Sequence, residues 1–273
     1  MAARKRLDML LVERGLFESR SKASASVMAG EVKVGRGGER AAKPGMLVAD
    51  EVELEVTGRS FYVSRGGLKL ERALACFDIS PQGRLCLDVG ASTGGFTDCL
   101  LQGGAARVVA LDVAYGELDW RLRGDPRVIA VERRNARTLE PAALPYAPDL
   151  ITVDVSFIGL EKVLPALARC AARSFDLLAL VKPQFQLGRE RIGKGGVVRS
   201  AADRLEALVR VGETARSLGL SVQGYCASGL PGPAGNRESF ILCTEAARPG
   251  IEDMVAAARA AEPEAREPTG APG

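Results

Sequence analysis

The chain has 273 residues, 37 Lys or Arg, 34 Asp or Glu, 47% hydrophobic residues and no histidine. The missing histidine excludes Ser-His-Asp and Cys-His catalysis and imidazole-bound zinc, so acid–base chemistry falls to carboxylates, lysine, tyrosine or cysteine. The net charge of +3 is uneven: residues 1–49 carry ten basic and five acidic groups, residues 250–273 two and five, and the N-terminal excess is compatible with RNA.

Residues 1–58 read as a small α+β unit. Leu7, Leu10 and Leu11 form a helical apolar stripe that Gly15 stops, and Ser19 caps a second helix over 20–29 that ends at Gly30. Short strands follow at 32–34, 47–48 and 52–56, separated by the glycines of 35–38 and by Lys43-Pro44-Gly45. The order Arg6-Leu7-Asp8, Ser19-Arg20-Ser21-Lys22-Ala23, Gly30-Glu31-Val32-Lys33-Val34 and Lys43-Pro44-Gly45 resembles the S4 RNA-binding domain. That resemblance implies phosphate contacts from Arg20, Lys22 and Lys33, with Arg6 and Arg65 as further candidates. Such contacts position RNA without reading its sequence. The plain alternative is solvated charge on a small helix.

A linker over 59–64 leads to a second domain over 65–247, which starts in Arg65-Gly66-Gly67-Leu68-Lys69-Leu70 and runs into a helix through Ala75. Strands are expected at 85–89, 108–112, 128–132, 150–154 and 177–182, then at 220–225 and 239–243, with helical stretches between the first five. This alternation predicts a Rossmann-like, doubly wound α/β sheet buried on both faces. Residues 248–273 are expected to form a short helix and a flexible tail. None of the cysteines forms a C-x-x-C pair, so buried free thiols are expected and no metal is required. No apolar run approaches the ~18 residues of a membrane span, and the N-terminus does not read as a signal peptide. A cytoplasmic protein without membrane association is expected.

The first strand of this domain ends in Asp88-Val89-Gly90-Ala91-Ser92-Thr93-Gly94-Gly95-Phe96, a glycine-rich turn into a helix N-terminus. Such a turn lets backbone N–H groups approach a ligand. Its spacing is not G-x-G-x-x-G, which disfavours a nicotinamide dehydrogenase. It resembles motif I of S-adenosylmethionine-dependent methyltransferases, with Gly90, Ser92, Gly94, Gly95 and Phe96 as cofactor-binding candidates. Asp112 lies 22 residues past Gly90, where a carboxylate can hold ribose hydroxyls.

Four more residues carry the chemistry. Asp154 and Lys182 end the fourth and fifth strands, Lys69 lies in Ser-Arg-Gly-Gly-Leu-Lys-Leu, and Glu238 in Asn-Arg-Glu-Ser-Phe. Strand C-termini of a doubly wound sheet form the ligand side, and charges there are costly unless paired. A lysine whose pKa is lowered by burial and a cationic neighbour can take the proton of an RNA 2′-hydroxyl. Lys182 is expected in that role, with Lys69 as the cationic neighbour and Asp154 and Glu238 orienting. The alternative is a structural ion pair at a sheet edge.

The motifs Ser-Arg-Gly-Gly-Leu-Lys-Leu, Asp-Val-Gly-Ala-Ser-Thr-Gly-Gly-Phe-Thr, Val-Asp-Val-Ser-Phe-Ile, Val-Lys-Pro-Gln-Phe and Gly-Lys-Gly-Gly-Val-Val, behind the S4-like unit, are similar to the TlyA family over residues 5–245. These are bacterial rRNA 2′-O-methyltransferases with an FtsJ-like catalytic domain, often labelled haemolysins. The resemblance implies a Lys69–Asp154–Lys182–Glu238 tetrad and S-adenosylmethionine at the 90–96 turn and Asp154. It also implies Asn135 near the adenine, and cytidine 2′-hydroxyls of 16S or 23S rRNA in 30S or 50S subunits as substrates. Gln186, where relatives carry an acid, and Arg199-Ser200-Ala201 depart from the pattern in a loop that can face RNA. The chain ends resemble the longer subtype associated with both subunits. Competing readings are a non-catalytic ribosome-assembly factor and a membrane-lytic protein.

Overall fold

A computed structural model describes residues 4–17, 19–28, 30–35, 37–56 and 62–262. Two compact units divide at Phe61 and Tyr62. The first contains β1 (Arg4–Arg6), α1 (Leu7–Glu13), α2 (Arg20–Met28), β2 (Val32–Val34), β3 (Glu39–Arg40), β4 (Leu47–Ala49) and β5 (Leu54–Val56). Leu7, Leu10 and Leu11 of α1 pack with Ala23, Val27, Val32 and Val48 in one small core, as their helical spacing requires. Ser19 caps α2 by accepting from Lys22 N at 3.3 Å.

Two strands were not expected. β1 is a run of three basic residues and pairs antiparallel with β4. β3 has two residues and pairs with β2, whose other edge carries β5. Neither has apolar alternation; cross-strand pairing makes them, overriding local propensity. Ala29, residues 57–58 at the end of the first domain and linker residues 59–61 lie outside the described residues.

The second unit continues with α3 (Arg65–Cys76), β6 (Leu85–Val89), α4 (Gly95–Gln102), β7 (Arg107–Leu111), α5 (Trp120–Arg123), β8 (Val128–Val131) and β9 (Leu150–Val153). It ends with α6 (Leu164–Cys170), β10 (Asp176–Val181), α7 (Pro183–Gln186), α8 (Ala201–Ser217), β11 (Ser221–Ala227), β12 (Ser239–Thr244) and α9 (Met254–Ala261). The strand order is β11-β12-β10-β9-β6-β7-β8. Pairings among the first five strands in chain order are parallel, and β12 runs antiparallel to both β10 and β11. This is the Rossmann-like sheet that the apolar runs predict, with a mixed edge.

Each sheet face has its own core. Leu87, Val89, Ile151 and Ala179 face one, and Cys86, Leu150, Leu178 and Leu180 the other. From β6 the chain steps outward to β7 and β8, then returns to β9 on the opposite side. The crevice between the C-terminal ends of β6 and β9 is therefore the topological switch point, where ligands of such sheets bind. Cys86, Cys99, Cys170, Cys226 and Cys243 are buried free thiols, and Cys76 is exposed at the end of α3, not buried as expected. No helix among the described residues is long and apolar enough to cross a membrane. The tail from residue 263 lies outside the described residues.

Candidate active site

A cavity of about 410 Å³ opens at the switch point, lined among others by Gly90, Phe96, Lys69, Asp154, Lys182 and Glu238. The glycine turn forms one wall. Gly90 has φ +83°, and a Cβ there would lie 2.4 Å from Asp154 O. Only glycine allows β6 and β9 to leave the sheet this close together. Ser92 also adopts a left-handed conformation, φ 48°, and its N donates to Asp112 Oδ2 at 2.8 Å.

Four charged side chains complete the cavity as two pairs. Lys69 projects from α3, and its Nζ donates to Glu238 Oε2 at 2.6 Å. These side chains are 9% and 1% exposed, so each is neutralised where water hardly reaches. Lys182 directly follows β10, and its Nζ lies 2.6 Å from Asp154 Oδ1 and donates to Ser156 Oγ at 2.9 Å. Asp154 Oδ1 accepts no well-directed hydrogen bond, so its contact with Lys182 is an ion pair off the bonding direction. Asp154 directly follows β9, and its N is tied to Val89 O at 2.9 Å. The sheet register thus holds Asp154 beside the glycine turn.

Other expected residues fall elsewhere. Gly94, φ +98°, faces Leu118 and Leu122, and a Cβ would lie 2.3 Å from Leu122 Cδ1; its missing side chain serves helix packing. Asp112 is bound by the backbone N–H groups of Ser92 and Ala114, both at 2.8 Å. It lines a smaller adjoining cavity with Glu117 and Glu132. Asn135 does not line either cavity; its side chain caps a short turn by accepting from Arg137 N at 3.0 Å. The structure therefore assigns Asn135 a local capping task that strand order alone could not reveal.

Among the candidate RNA contacts, Arg6 and Arg20 converge on the buried carboxylate of Asp8, at 2.9 and 3.2 Å. The Arg6 guanidinium bonded to Asp8, with Arg20 beside it, holds that carboxyl down at about 2. Asp8 thus fixes two exposed arginines in one place. Lys22 is exposed on α2. Lys33 pairs with Glu55 across the β2–β5 ladder at 3.3 Å, which makes it a strand-pair cation rather than an open contact. Arg65 lies at the cavity edge, where its Nη2 donates to Pro231 O at 3.3 Å.

Three residues were overlooked in the sequence. Ser156 follows Asp154 by two positions inside a motif already singled out, and its hydroxyl was the available signal. Phe157 is 92% exposed, adopts φ 62° and stacks tilted on Phe185, ring centroids 5.2 Å apart. An exposed aromatic in that conformation is costly, and such outliers gather at functional sites. Asp88 is 0% exposed and accepts from Thr97 Oγ1 at 2.7 Å and Thr152 Oγ1 at 3.1 Å. Burial pushes its carboxyl up to about 7, against the opposing pull of the two threonines. An acid inside an apolar strand was its signal. Among the described residues, no group of three or more His, Cys, Asp or Glu could hold a metal.

The comparisons agree with this geometry. Residues 62–246 match the FtsJ-like methyltransferase family and residues 5–54 the S4 domain. The chain is 48% identical to a 16S/23S rRNA (cytidine-2′-O)-methyltransferase TlyA of Mycobacterium tuberculosis, over 93% of this chain and 97% of that protein. It is 45% identical to a putative rRNA methyltransferase YqxC of Bacillus subtilis, over 88% and 85%. A solved structure described as a putative hemolysin from Streptococcus thermophilus superposes with a TM-score of 0.74 at 42% identity, covering 96% and 95% of the two chains.

Proposed function

The chain belongs to the TlyA family of FtsJ-like methyltransferases with an S4 domain, and from that premise we propose that it methylates cytidine 2′-hydroxyls of 16S and 23S rRNA. Its work is done in the cytoplasm on 30S and 50S subunits. The observation that carries the reading is the convergence of two Lys–carboxylate pairs on one cavity beside the glycine turn at the switch point.

The residues present fit S-adenosylmethionine, a member of the sulfonium class that supplies an already activated methyl group. The turn from Gly90 to Phe96 lines the cavity, so its backbone can approach a bound ligand closely. Backbone N–H groups at the start of α4 suit a carboxylate, and the acids beyond β7 suit ribose hydroxyls. The chain's own task is to hold one 2′-oxygen and manage one proton. Lys182 Nζ, held by Asp154 and Ser156, first gives one proton to water and, as the neutral amine, takes the hydroxyl proton as the oxygen gains its methyl group. Asp154, 2.6 Å away, compensates the ammonium so formed. Lys69, held by Glu238, forms the opposite pair and orients the ribose. Phe157 offers a ring face on which a base drawn out of its stack can rest. In the S4 domain Arg6 and Arg20, aligned by Asp8, together with Lys22, make phosphate contacts.

The test is to map 2′-O-methylated nucleotides in 16S and 23S rRNA from cells with and without the gene. Loss of cytidine methylation at defined positions is expected. Identical maps would refute the reading.

A further inference from the structure

The motif Gly-Lys-Gly-Gly-Val-Val, to which the reaction itself gives no task, folds into a small hairpin over 193–198. Gly193 and Val197 form an isolated antiparallel bridge, and Gly196 N donates to Gly193 O at 3.0 Å. Gly195 and Gly196 turn the chain with φ +81° and +77°, a conformation that L side chains rarely adopt. Residues 193–196 are exposed, and only Val198 of the hairpin is buried. Apolar packing therefore does little to hold it. What it offers its surroundings is backbone, above all Gly196 O and Val198 N.

One side chain takes both. Asn236, in the loop between β11 and β12, is 1% exposed. Its Oδ1 accepts from Val198 N at 2.9 Å, and its Nδ2 donates to Gly196 O at 2.8 Å. An amide matches this donor and acceptor at once, whereas an ionised carboxylate of the same shape only accepts.

From Asn236 a chain of contacts runs to the reaction cavity. Its backbone O accepts from Gly232 N at 2.8 Å, and Gly235 N donates to Gly232 O at 2.9 Å, which closes the loop tip into a tight turn. Gly232 lies against Glu238, where a Cβ would come 2.4 Å from Glu238 Oε1. The other oxygen, Oε2, takes Lys69 Nζ at 2.6 Å. The carboxylate is thus confined between Gly232 on one side and Lys69 on the other. The base of the loop has ties of its own, Ser228 N to Glu238 O at 3.0 Å and Arg72 Nε to Ala227 O at 3.2 Å. At the tip the exposed Arg65 reaches Pro231 O at 3.3 Å, where water competes, and Asn236 supplies the two side-chain bonds to the hairpin.

Resting on the methyltransferase reading, we propose that Asn236 is a positioning residue for the reaction. It locks the hairpin to the loop that sets the Glu238 carboxylate, and through Glu238 it fixes the Lys69 ammonium in the cavity. Asn236 does not line that cavity, so it acts on the ribose only through this pair. A misplacement of about 1 Å at the reacting groups can cost on the order of 10²-fold in rate.

Methyl transfer to isolated subunits by the full chain tests this, with Asn236→Ala, Glu238→Gln and the double variant. Asn236→Ala is expected to lower kcat about 10- to 100-fold, with KM for the subunit and the S-adenosylmethionine Kd within about twofold. Glu238→Gln keeps an oxygen for Lys69 Nζ, so measurable turnover should remain. In that background Asn236→Ala is expected to cost less than about threefold, because the group it acts through is already altered. A residue that merely supported the fold would lower both backgrounds by the same factor. Full multiplication of the two losses would therefore overturn the proposal, as would Asn236→Ala turnover within about twofold of the wild type. If Asn236→Ala fails to fold, Asn236→Asp carries the same cycle, since it keeps the shape and the acceptor and loses the donor to Gly196 O. A wild-type protein that methylates neither subunit would instead refute the function. A crystal structure of the Asn236 variant would still judge the positioning: Glu238 Oε2 drawn beyond about 4 Å from Lys69 Nζ, the limit of an ion pair, supports it, and a pair kept at 2.6 Å overturns it.

Discussion

At the carboxyl rim of the sheet, Lys182 and Asp154 face each other on the wall of an open cavity; at the amino rim, Arg84 lies between Asp149 and Asp176. Arg84 Nε donates to Asp149 Oδ1 at 2.8 Å and Nη2 to Asp176 Oδ2 at 3.0 Å, while Arg248 takes the remaining Asp176 oxygen at 2.6 Å. Asp149 Oδ1 also accepts from Leu85 N at 3.1 Å. A groove of about 620 Å³ opens at the amino rim too, so open volume does not separate the two ends. Saturation does. Below, both carboxylates are bound by two partners and tie the starts of β6 and β10 together. Above, Asp154 Oδ1 has a cation 2.6 Å away but no directed hydrogen bond. The lower carboxylates have completed their bonding within the sheet ends, whereas the upper pair stands on the wall of a cavity with its hydrogen bonding incomplete.

The largest effect should come from breaking the upper pair. Lys182→Ala is expected to lower kcat by roughly 10²–10⁴-fold, the usual span for a lost acid–base group. Binding of S-adenosylmethionine, followed by calorimetry, should stay within a few fold. Turnover near that of the wild type would remove Lys182 from the proton's path and reduce the upper pair to the same status as the lower one.

The strands of the large sheet were legible because burial on both faces writes them as apolar runs, and each begins and ends within two residues of expectation. Asp154 and Lys182 were legible for the same reason: a charge directly after a buried run is conspicuous. What depends on partners distant in sequence was not. β1 and β3 exist only through their pairing, and nothing near Lys33 announces that Glu55 lies across the ladder. Asn135 looked like a ligand contact from its place after a strand, yet its side chain closes a turn two residues on. Phe157 reads as one more apolar residue until its left-handed backbone and full exposure are seen. Asp88 stands within the motif of the glycine turn, and a carboxyl in mid-strand is the most anomalous residue in it.

Asp88 lies between the two rims, and its titration tests how deep the charged site reaches. Burial raises its folded-state pKa from 3.8 to about 7, and the charge of Asp154 adds to the rise. Below the unfolded value both states hold the proton, and Asp88 costs nothing. As pH climbs from about 4 to about 7 the unfolded chain ionises first, so folding stability falls by up to about 1.4 kcal/mol per pH unit, then levels off. The whole loss is of the order of 4 kcal/mol. Asp88→Asn should remove this decline, which urea unfolding at pH 4.5 and 7.5 would show. Parallel curves for the two proteins would mean that the carboxyl is ionised in the fold and that the charged site extends below the cavity floor.

The smallest of these effects tests the lower rim. Arg84→Met keeps the apolar stem and removes the guanidinium, leaving Asp149 without its arginine and Asp176 with Arg248 alone. Breaking a buried pair costs about 3–5 kcal/mol, but the Arg84 side chain is 25% exposed, and water can replace part of what is lost. A loss of about 1–3 kcal/mol in unfolding free energy is therefore expected, with methyl transfer per folded molecule unchanged. The distinction between the rims requires both halves of that result. If kcat falls at a temperature where the variant is fully folded, the pairs below are coupled to those above through β6 and β10, and saturation of hydrogen bonds would no longer separate architecture from chemistry in this sheet.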